Sequence, residues 1–405
     1  MGVSTLSVHE LSFVPEGEDV LVGRMDTGSY AVFPADGAEL LKRLAAGLPL
    51  EEAAEWYEAT FDEPVDVEDF VGTLQELGFL REPAAGGPDP AEAPVEAAPA
   101  APVRYRRLGR LVFSPVAWLL YAAVVGTAAA VVVRHGDLAP KASQIFFVKS
   151  LLIVQVVITF GQVPLILAHE GFHVLAGRRL GLPTRLRLSN RLTYIVAETQ
   201  INGLMSVPRR KRYLPFLAGM ACDAVVLALL DLAAQAARTD GGALSTASKV
   251  CLALAFTVAL RMVWQFQLYL RTDLFFVVAT AMKTYDLHDA SKALMKNRVW
   301  RILRLPHRIV DESQWTERDR KVGAYYGPFL VLGVCTFIAV TVYASIPVGI
   351  RYFVIAGEAI GSGHVDAHFW DSVVSLGFNA AQVTALVVLA RRKRNAAAGQ
   401  AGPGK

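Results

Sequence analysis

The sequence predicts a mostly α protein: a polytopic bundle of about six membrane-spanning helices behind a small N-terminal α+β domain. Three observations carry this. Hydrophobic residues make up 53% of the 405 residues and charged ones 19%, with a mean hydropathy of +0.37, values that lean toward a membrane protein. From Arg104 onward, apolar runs recur at lengths that cross a bilayer. The first thirty residues are mixed and acidic, without the apolar core of a signal peptide, so the N-terminus is expected to be soluble and cytoplasmic. The net charge of +3 is too small to argue for nucleic acid. Cys222, Cys251 and Cys335 lie in apolar segments at unrelated spacings, implying neither a disulfide framework nor a cysteine-based zinc site.

Residues 1–81 read as the α+β unit. Asp19 to Asp26 and Ser29 to Phe33 are short β-type runs parted by Thr27-Gly28, which suits a hairpin turn. Helical patterns follow over Gly37–Ala46, Leu50–Phe61 and Val67–Leu77, with Gly47 and Gly78 where C-terminal caps belong. Phe70, Leu74 and Leu77 share one helical stripe, and with Phe79 and Leu80 they are expected in the core. The spacing of Gly28-Ser29-Tyr30, Leu40-Leu41…Leu44, Gly47 and Phe70…Leu74…Leu77-Gly78-Phe79 resembles the PqqD-like family, over about a fifth of the chain. The resemblance implies a winged-helix-like domain that recognises the leader of a ribosomally made peptide. Such a peptide would be held by strand addition at a sheet edge beside a helix. A docking domain without a peptide ligand is the plainer alternative.

Residues 82–103 are Ala, Pro, Gly and a few acids without periodicity, and read as a semi-extended linker that lets the first domain move. Spans are expected near Leu111–Val133, Ile145–Ala168, Tyr213–Ala237, Val250–Leu270, Tyr326–Ile350 and Ser372–Ala390 within a membrane domain of residues 104–394; residues 395–405 read as a disordered tail. Basic residues cluster in alternate connections: Arg104 to Arg110, Arg178 to Arg212, Lys283 to Lys321, and Arg391-Arg392-Lys393-Arg394. The connections around His135, Thr239 and Gly361 are nearly free of them. The positive-inside rule then places both termini in the cytoplasm, and these charges orient spans rather than bind a polyanion.

The second span leads into Ala168-His169-Glu170-Gly171-Phe172-His173, an HExxH motif. If helix continues through it, His169 and His173 fall one turn apart on one face and can share a Zn²⁺. Glu170 can then reach a water at the metal as general base and later protonate a leaving amine. Two ordinary histidines near a helix end are the bland alternative, but ionisable groups at a membrane edge are expensive. Between Pro183 and Ile201, alternating polar and apolar residues predict a β-hairpin beside the metal, either a support for an extended substrate or a plain connector.

Asp273, just past the fourth span, is the expected third ligand because it ends at the same depth as the histidines. Asp223, the runner-up, lies ten residues into the third span, about 15 Å along a helix, too deep unless that span is broken. Asp231 lies further still, and Glu198 in the hairpin is a further candidate. His364 and His368 form another i, i+4 pair, but they lack the glutamate and fall on the opposite side. Arg261, inside the fourth span, is expected to be paired within the bundle or to snorkel.

His169-Glu170-Gly171-Phe172-His173, Ala176-Gly177, Ala218-Gly219 and Leu270-Arg271-Thr272-Asp273 followed by Phe275-Phe276 resemble the site-2 protease clan of intramembrane zinc metallopeptidases. The similarity extends to its peptide zinc metallopeptidase branch and runs from Ile145 to Arg298. Two departures stand out: Leu274 follows the acid where the family has the Gly that goes with a backbone break, and Asp223, where the family places Asn, is open to a ligand or substrate-orienting role. The resemblance implies a membrane-embedded zinc metalloendopeptidase that cleaves a peptide or a membrane-protein substrate, in maturation or export of a ribosomally made peptide. Its ligands would be His169, His173 and Asp273, with Glu170 catalytic. A non-catalytic membrane component for peptide binding, export or immunity, and a regulated signalling protease, are the competing classes.

Overall fold

The computed structural model describes residues 6–81, 103–191, 194–284, 287–312, 315 and 317–400. The expected linker, residues 82–103, lies outside them except for Val103. The chain divides into two compact units. One holds the described residues up to Arg110 with Leu175–Arg185 and Gln200–Leu214; the other holds Leu111–Val174, Leu186–Thr199 and Pro215 onward.

In the first unit, β1 (Ser12–Glu16), β2 (Asp19–Gly23) and β3 (Tyr30–Pro34) form an antiparallel sheet in that order. Ser12 pairs with Gly23 and Gly23 with Tyr30, so one row crosses all three strands. The sequence reading found β2 and β3 but not β1. Pro15 lowers the strand signal there, and an edge strand tolerates it because one row of its backbone groups needs no partner. Gly17 turns the chain from β1 to β2 with φ +83°, and Gly28, at φ +73°, serves the β2–β3 turn. Helices α1 (Ala35–Ala45), α2 (Leu50–Phe61) and α3 (Val67–Glu76) follow; α1 and α3 end near Gly47 and Gly78, both in the left-handed region as expected of C-terminal caps, and α2 ends on Asp62 at φ +56°. Val22, Phe33, Leu41, Leu74 and Phe79 are buried together, with Phe70, Leu77 and Leu80 packed against them.

The same unit includes the chain just before and into α7 (Arg209–Ala236). Ser206 Oγ is hydrogen-bonded with Ser12 Oγ (2.8 Å) and Tyr30 Oη (3.1 Å). Glu16 is ion-paired with Arg209 and, at 2.7 Å, with Arg212, and its side chain is only 6% exposed. Arg212 also donates to the carbonyls of Val207 and Met205, so it holds the turn into α7 from inside. Short helix α4 (Arg106–Val112) packs its Gly109 directly on Leu175 and Arg179.

The second unit is helical. Its elements are α5 (Pro115–Arg134), α6 (Leu151–Arg179), α7, α8 (Thr246–Trp264), α9 (Asp273–Met282), α10 (Leu287–Ile302), α11 (Glu317–Val340), α12 (Ile346–Gly361) and α13 (Ala367–Gln400). A π-helical stretch, Thr341–Ser345, joins α11 to α12. Among the described residues, six helices are long and apolar enough to cross a membrane: Pro115–Arg134, Leu151–Arg179, Arg209–Ala236, Thr246–Trp264, Arg320–Gly361 and Ala367–Leu389. Each expected span has its counterpart, as an integral membrane protein requires. The hairpin is present as β4 (Thr184–Arg191) and β5 (Tyr194–Ile201). The N-terminus of α6 is capped from α13: Asp371 accepts from Leu151 N (2.7 Å), Leu152 N (3.3 Å) and the Ser150 hydroxyl. A polar ladder adds to this, as Ser375 meets Gln155 (2.8 Å) and Tyr352 (2.6 Å), and Asn379 donates to Tyr352 (2.7 Å). With no water in a bilayer to compete, such bonds fix helices against one another.

Candidate metal centre

α6 does not stop at the motif. Phe172, Val174, Leu175 and Ala176 carry the apolar pattern on, and the helix runs to Arg179 before Gly181 turns it at φ +85°. His169 and His173 therefore sit inside a helix, one turn apart, both buried, with Glu170 also buried between them.

Three donor atoms converge. His173 Nε2 lies 3.2 Å from His169 Nε2 and 3.2 Å from Asp273 Oδ2, which is 3.4 Å from His169 Nε2. Among the described residues, His169, His173 and Asp273 form the group of three with ligand atoms all within 4.8 Å of one another. The far side of each imidazole is also engaged. His173 Nδ1 lies 2.7 Å from the Pro215 carbonyl, which can only accept, so Nδ1 carries the proton and Nε2 offers its lone pair. His169 Nδ1 lies 3.0 Å from Asp223 Oδ2, an ionic approach rather than a well-aimed hydrogen bond, with the same consequence for Nε2. Lone pairs from two imidazoles and a carboxylate, facing one another this closely, repel unless a proton or a cation sits between them.

Asp273 arrives by a backbone break. α8 ends at Trp264, a left-handed Arg271 (φ +53°) redirects the chain, and Asp273 is the first residue of α9. Leu274 in place of glycine thus does not prevent a break: the break lies before the acid, not after it. Gln265 brackets Asp273, donating from Nε2 to Oδ2 (3.2 Å) and accepting from its backbone N–H at Oε1 (3.1 Å). Thr272 ties the loop by donating to the Gln265 carbonyl at 2.7 Å.

Asp223, the runner-up for third ligand, is expected from the sequence to lie too deep to meet the histidines unless its span is broken; it meets His169 although α7 runs unbroken. That argument ended the second span at Ala168 and began the third at Tyr213. Instead α6 carries the histidines ten and six residues inside its end at Arg179, and α7 carries Asp223 fourteen residues from its start at Arg209. At about 1.5 Å per residue the two depths are comparable. Asp223 reaches His169 from the side away from Asp273, and Arg261 holds it through two bonds, Nε to Oδ2 (2.9 Å) and Nη2 to Oδ1 (2.6 Å). Arg261 is thus paired within the bundle, one of the two fates expected for it.

Three further residues belong to the site. Thr199, from β5, donates its hydroxyl to Glu170 Oε2 (2.7 Å) and to the Glu170 carbonyl (3.1 Å), which puts the hairpin beside the motif. Gln265 carried no signal beyond being polar in an apolar stretch. Gly219, noted only as part of a motif, faces the donors: a methyl there would overlap both Nε2 atoms and lie 2.5 Å from His169 Cε1. Asp231 is buried elsewhere on α7 and its Oδ1 has no hydrogen-bond partner among the described residues. The Glu198 side chain lies outside the described residues. His364 and His368 are both exposed, and His364 Nδ1 meets the Ser362 carbonyl at 3.0 Å. All three cysteines are free.

Fold and site together define a helical protein of membrane-spanning type with a buried His-His-Asp cluster and an adjacent glutamate. No family model matches the chain, and no curated protein or solved structure matches it.

Proposed function

We propose that the protein is a membrane-embedded zinc metallopeptidase in which His169, His173 and Asp273 hold the ion and Glu170 is the general base. The observation that carries this reading is the mutual spacing of the three donor atoms, 3.2, 3.2 and 3.4 Å. Ligands bound to zinc at 2.0–2.1 Å in a tetrahedron stand about 3.3 Å apart, so the donors fit three of its corners and leave one for water or substrate. Charge favours the same reading. Counted as ionised, the carboxylates of Glu170, Asp223 and Asp273 exceed the one guanidinium of Arg261 by two, the charge of the ion.

A bound zinc ion would supply Lewis acidity to a scissile carbonyl. The chain does the rest. Pro215 and Asp223 keep the two Nε2 atoms unprotonated, and Gln265 orients Asp273. Thr199 occupies one oxygen of Glu170 and so directs the other toward the attacking water. Glu170 takes that water's proton and delivers it to the leaving amine as the C–N bond breaks. The substrate in this proposal is a peptide or a membrane-associated precursor. The N-terminal domain acts as a PqqD-like leader-binding module of winged-helix type, and both termini are cytoplasmic. Support for that role comes from the outer edge of β3, which pairs with no strand among the described residues.

The test is elemental analysis of the detergent-purified protein, followed by a cleavage assay on peptides from neighbouring reading frames. Near-stoichiometric zinc is expected, lost in His169→Ala and Asp273→Ala. Glu170→Gln is expected to keep its zinc and lose cleavage. Wild-type turnover by that variant would remove Glu170 as the base, and a wild type that takes up no zinc would leave a non-catalytic membrane peptide binder as the better reading.

A further inference from the structure

We infer that Asp223, itself held by Arg261, is a positioning residue for the metal ligand His169 and not a ligand. The inference rests on the zinc reading above and adds a residue that the HExxH motif does not include.

The geometry separates the two aspartates by function. Asp273 Oδ2 stands among the Nε2 atoms, 3.4 Å from that of His169, whereas Asp223 Oδ2 stands 3.0 Å from Nδ1 of the same ring. The nitrogens of one imidazole point in divergent directions, so one rigid ring cannot present both aspartates to a single ion. Asp223 is fully buried in α7, and a buried carboxylate without partners would be strongly disfavoured. The planar fork of Arg261 satisfies both of its oxygens and fixes the plane of the carboxylate. The result is a chain of three groups, guanidinium to carboxylate to imidazole, whose carboxylate stands against Nδ1 of His169 and favours a proton there. His173 has no such chain: the uncharged carbonyl of Pro215 does the equivalent work at 2.7 Å. The two histidines are therefore unequal ligands: an anion backs the ring of His169 and an uncharged carbonyl that of His173.

The experiment is a zinc titration of the full-length protein in detergent against a chromophoric chelator. It uses wild type, Asp273→Ala, Asp223→Asn, and a double variant carrying Asp223→Asn with Arg261→Gln. The double variant removes both charges together, so no buried ion is stranded if the single change misfolds. Each protein is also loaded with Co²⁺, whose visible absorption reports coordination number. The expected result is one equivalent of zinc in Asp223→Asn and in the double variant, bound roughly 10- to 100-fold more weakly than in wild type. Their cobalt spectra should keep the wild-type band pattern, while Asp273→Ala loses both tight binding and that pattern. Wild-type affinity in both Asp223 variants would make the ion pair purely structural and overturn the inference. Loss as complete as in Asp273→Ala, with a changed cobalt spectrum, would make Asp223 a ligand and overturn it too. A wild type that binds neither metal would fail the zinc reading itself and take this inference with it.

Discussion

A methyl group at position 219 would occupy the space in front of both Nε2 atoms, where the proposed ion belongs. Gly219→Ala is therefore expected to abolish zinc uptake with every donor still in place, and elemental analysis of that variant checks it. Retained stoichiometric zinc would mean that α7 can retreat from α6. The methyl is helix-favouring in itself, so loss of the ion would not be traceable to weaker helix formation. At this scale the sequence was partly legible. HExxH announced His169, Glu170 and His173 because one turn of helix brings i and i+4 together, a relation local in the chain. Asp273 followed from the ends of spans. Asp223 was legible only as a runner-up judged too deep, and Gly219 only as part of a motif, because their positions depend on how far α6 and α7 continue past the points where hydropathy ends them. Thr199 and Gln265 were silent, since a single polar side chain carries no period.

Among the elements, α1 and α2 are joined by one short polar contact. The Tyr57 hydroxyl donates to Asp36 Oδ2 at 2.5 Å, and Asp36 Oδ1 accepts from Gly37 N at 2.8 Å. The tyrosine bond holds the Asp36 carboxyl below its ordinary range, and the same bond pushes Tyr57 up to about 12. The carboxyl's share of stability is thus present above its unfolded pKa and is lost as pH falls through the lowered folded value. The phenol's share is present below its unfolded pKa near 10 and is lost as pH rises through about 12. Tyr57→Phe is expected to cost roughly 1–2 kcal/mol near neutrality, less at either extreme. Hydrogen exchange of α1 and α2 amides in the full chain, measured against pH, would read this. A cost that does not change with pH would assign the loss to packing alone. Strong helical periodicity made α2 and α3 legible, and left-handed Gly47 and Gly78 gave the ends of α1 and α3, whereas α2 ends on a left-handed Asp62 that carried no such signal. β1 escaped because an edge strand with a proline has neither clean alternation nor the turn signal that marked β2 and β3.

Over the whole molecule, apolar length alone located the six long helices, since hydropathy integrates over some twenty residues and tolerates local errors. It could not find the break between Trp264 and Asp273 or foresee that Arg320–Gly361 is one apolar helix with a π-helical stretch inside it. Nor could it find the ladder from Gln155 through Ser375 to Tyr352 and Asn379, whose members are far apart in sequence. That break has a topological consequence. His173 and Asp273 stand 100 positions apart on separate helices, α6 and α9. An ion joining them is a reversible cross-link that closes a loop of that length, comparable in kind to a disulfide. Chelation should therefore lower the melting temperature of the wild type in detergent by several degrees, and added zinc should restore it in proportion to the logarithm of its free concentration. Gly219→Ala should melt at one temperature with or without chelator. An unchanged wild-type midpoint would mean that helix packing already closes the loop without the ion.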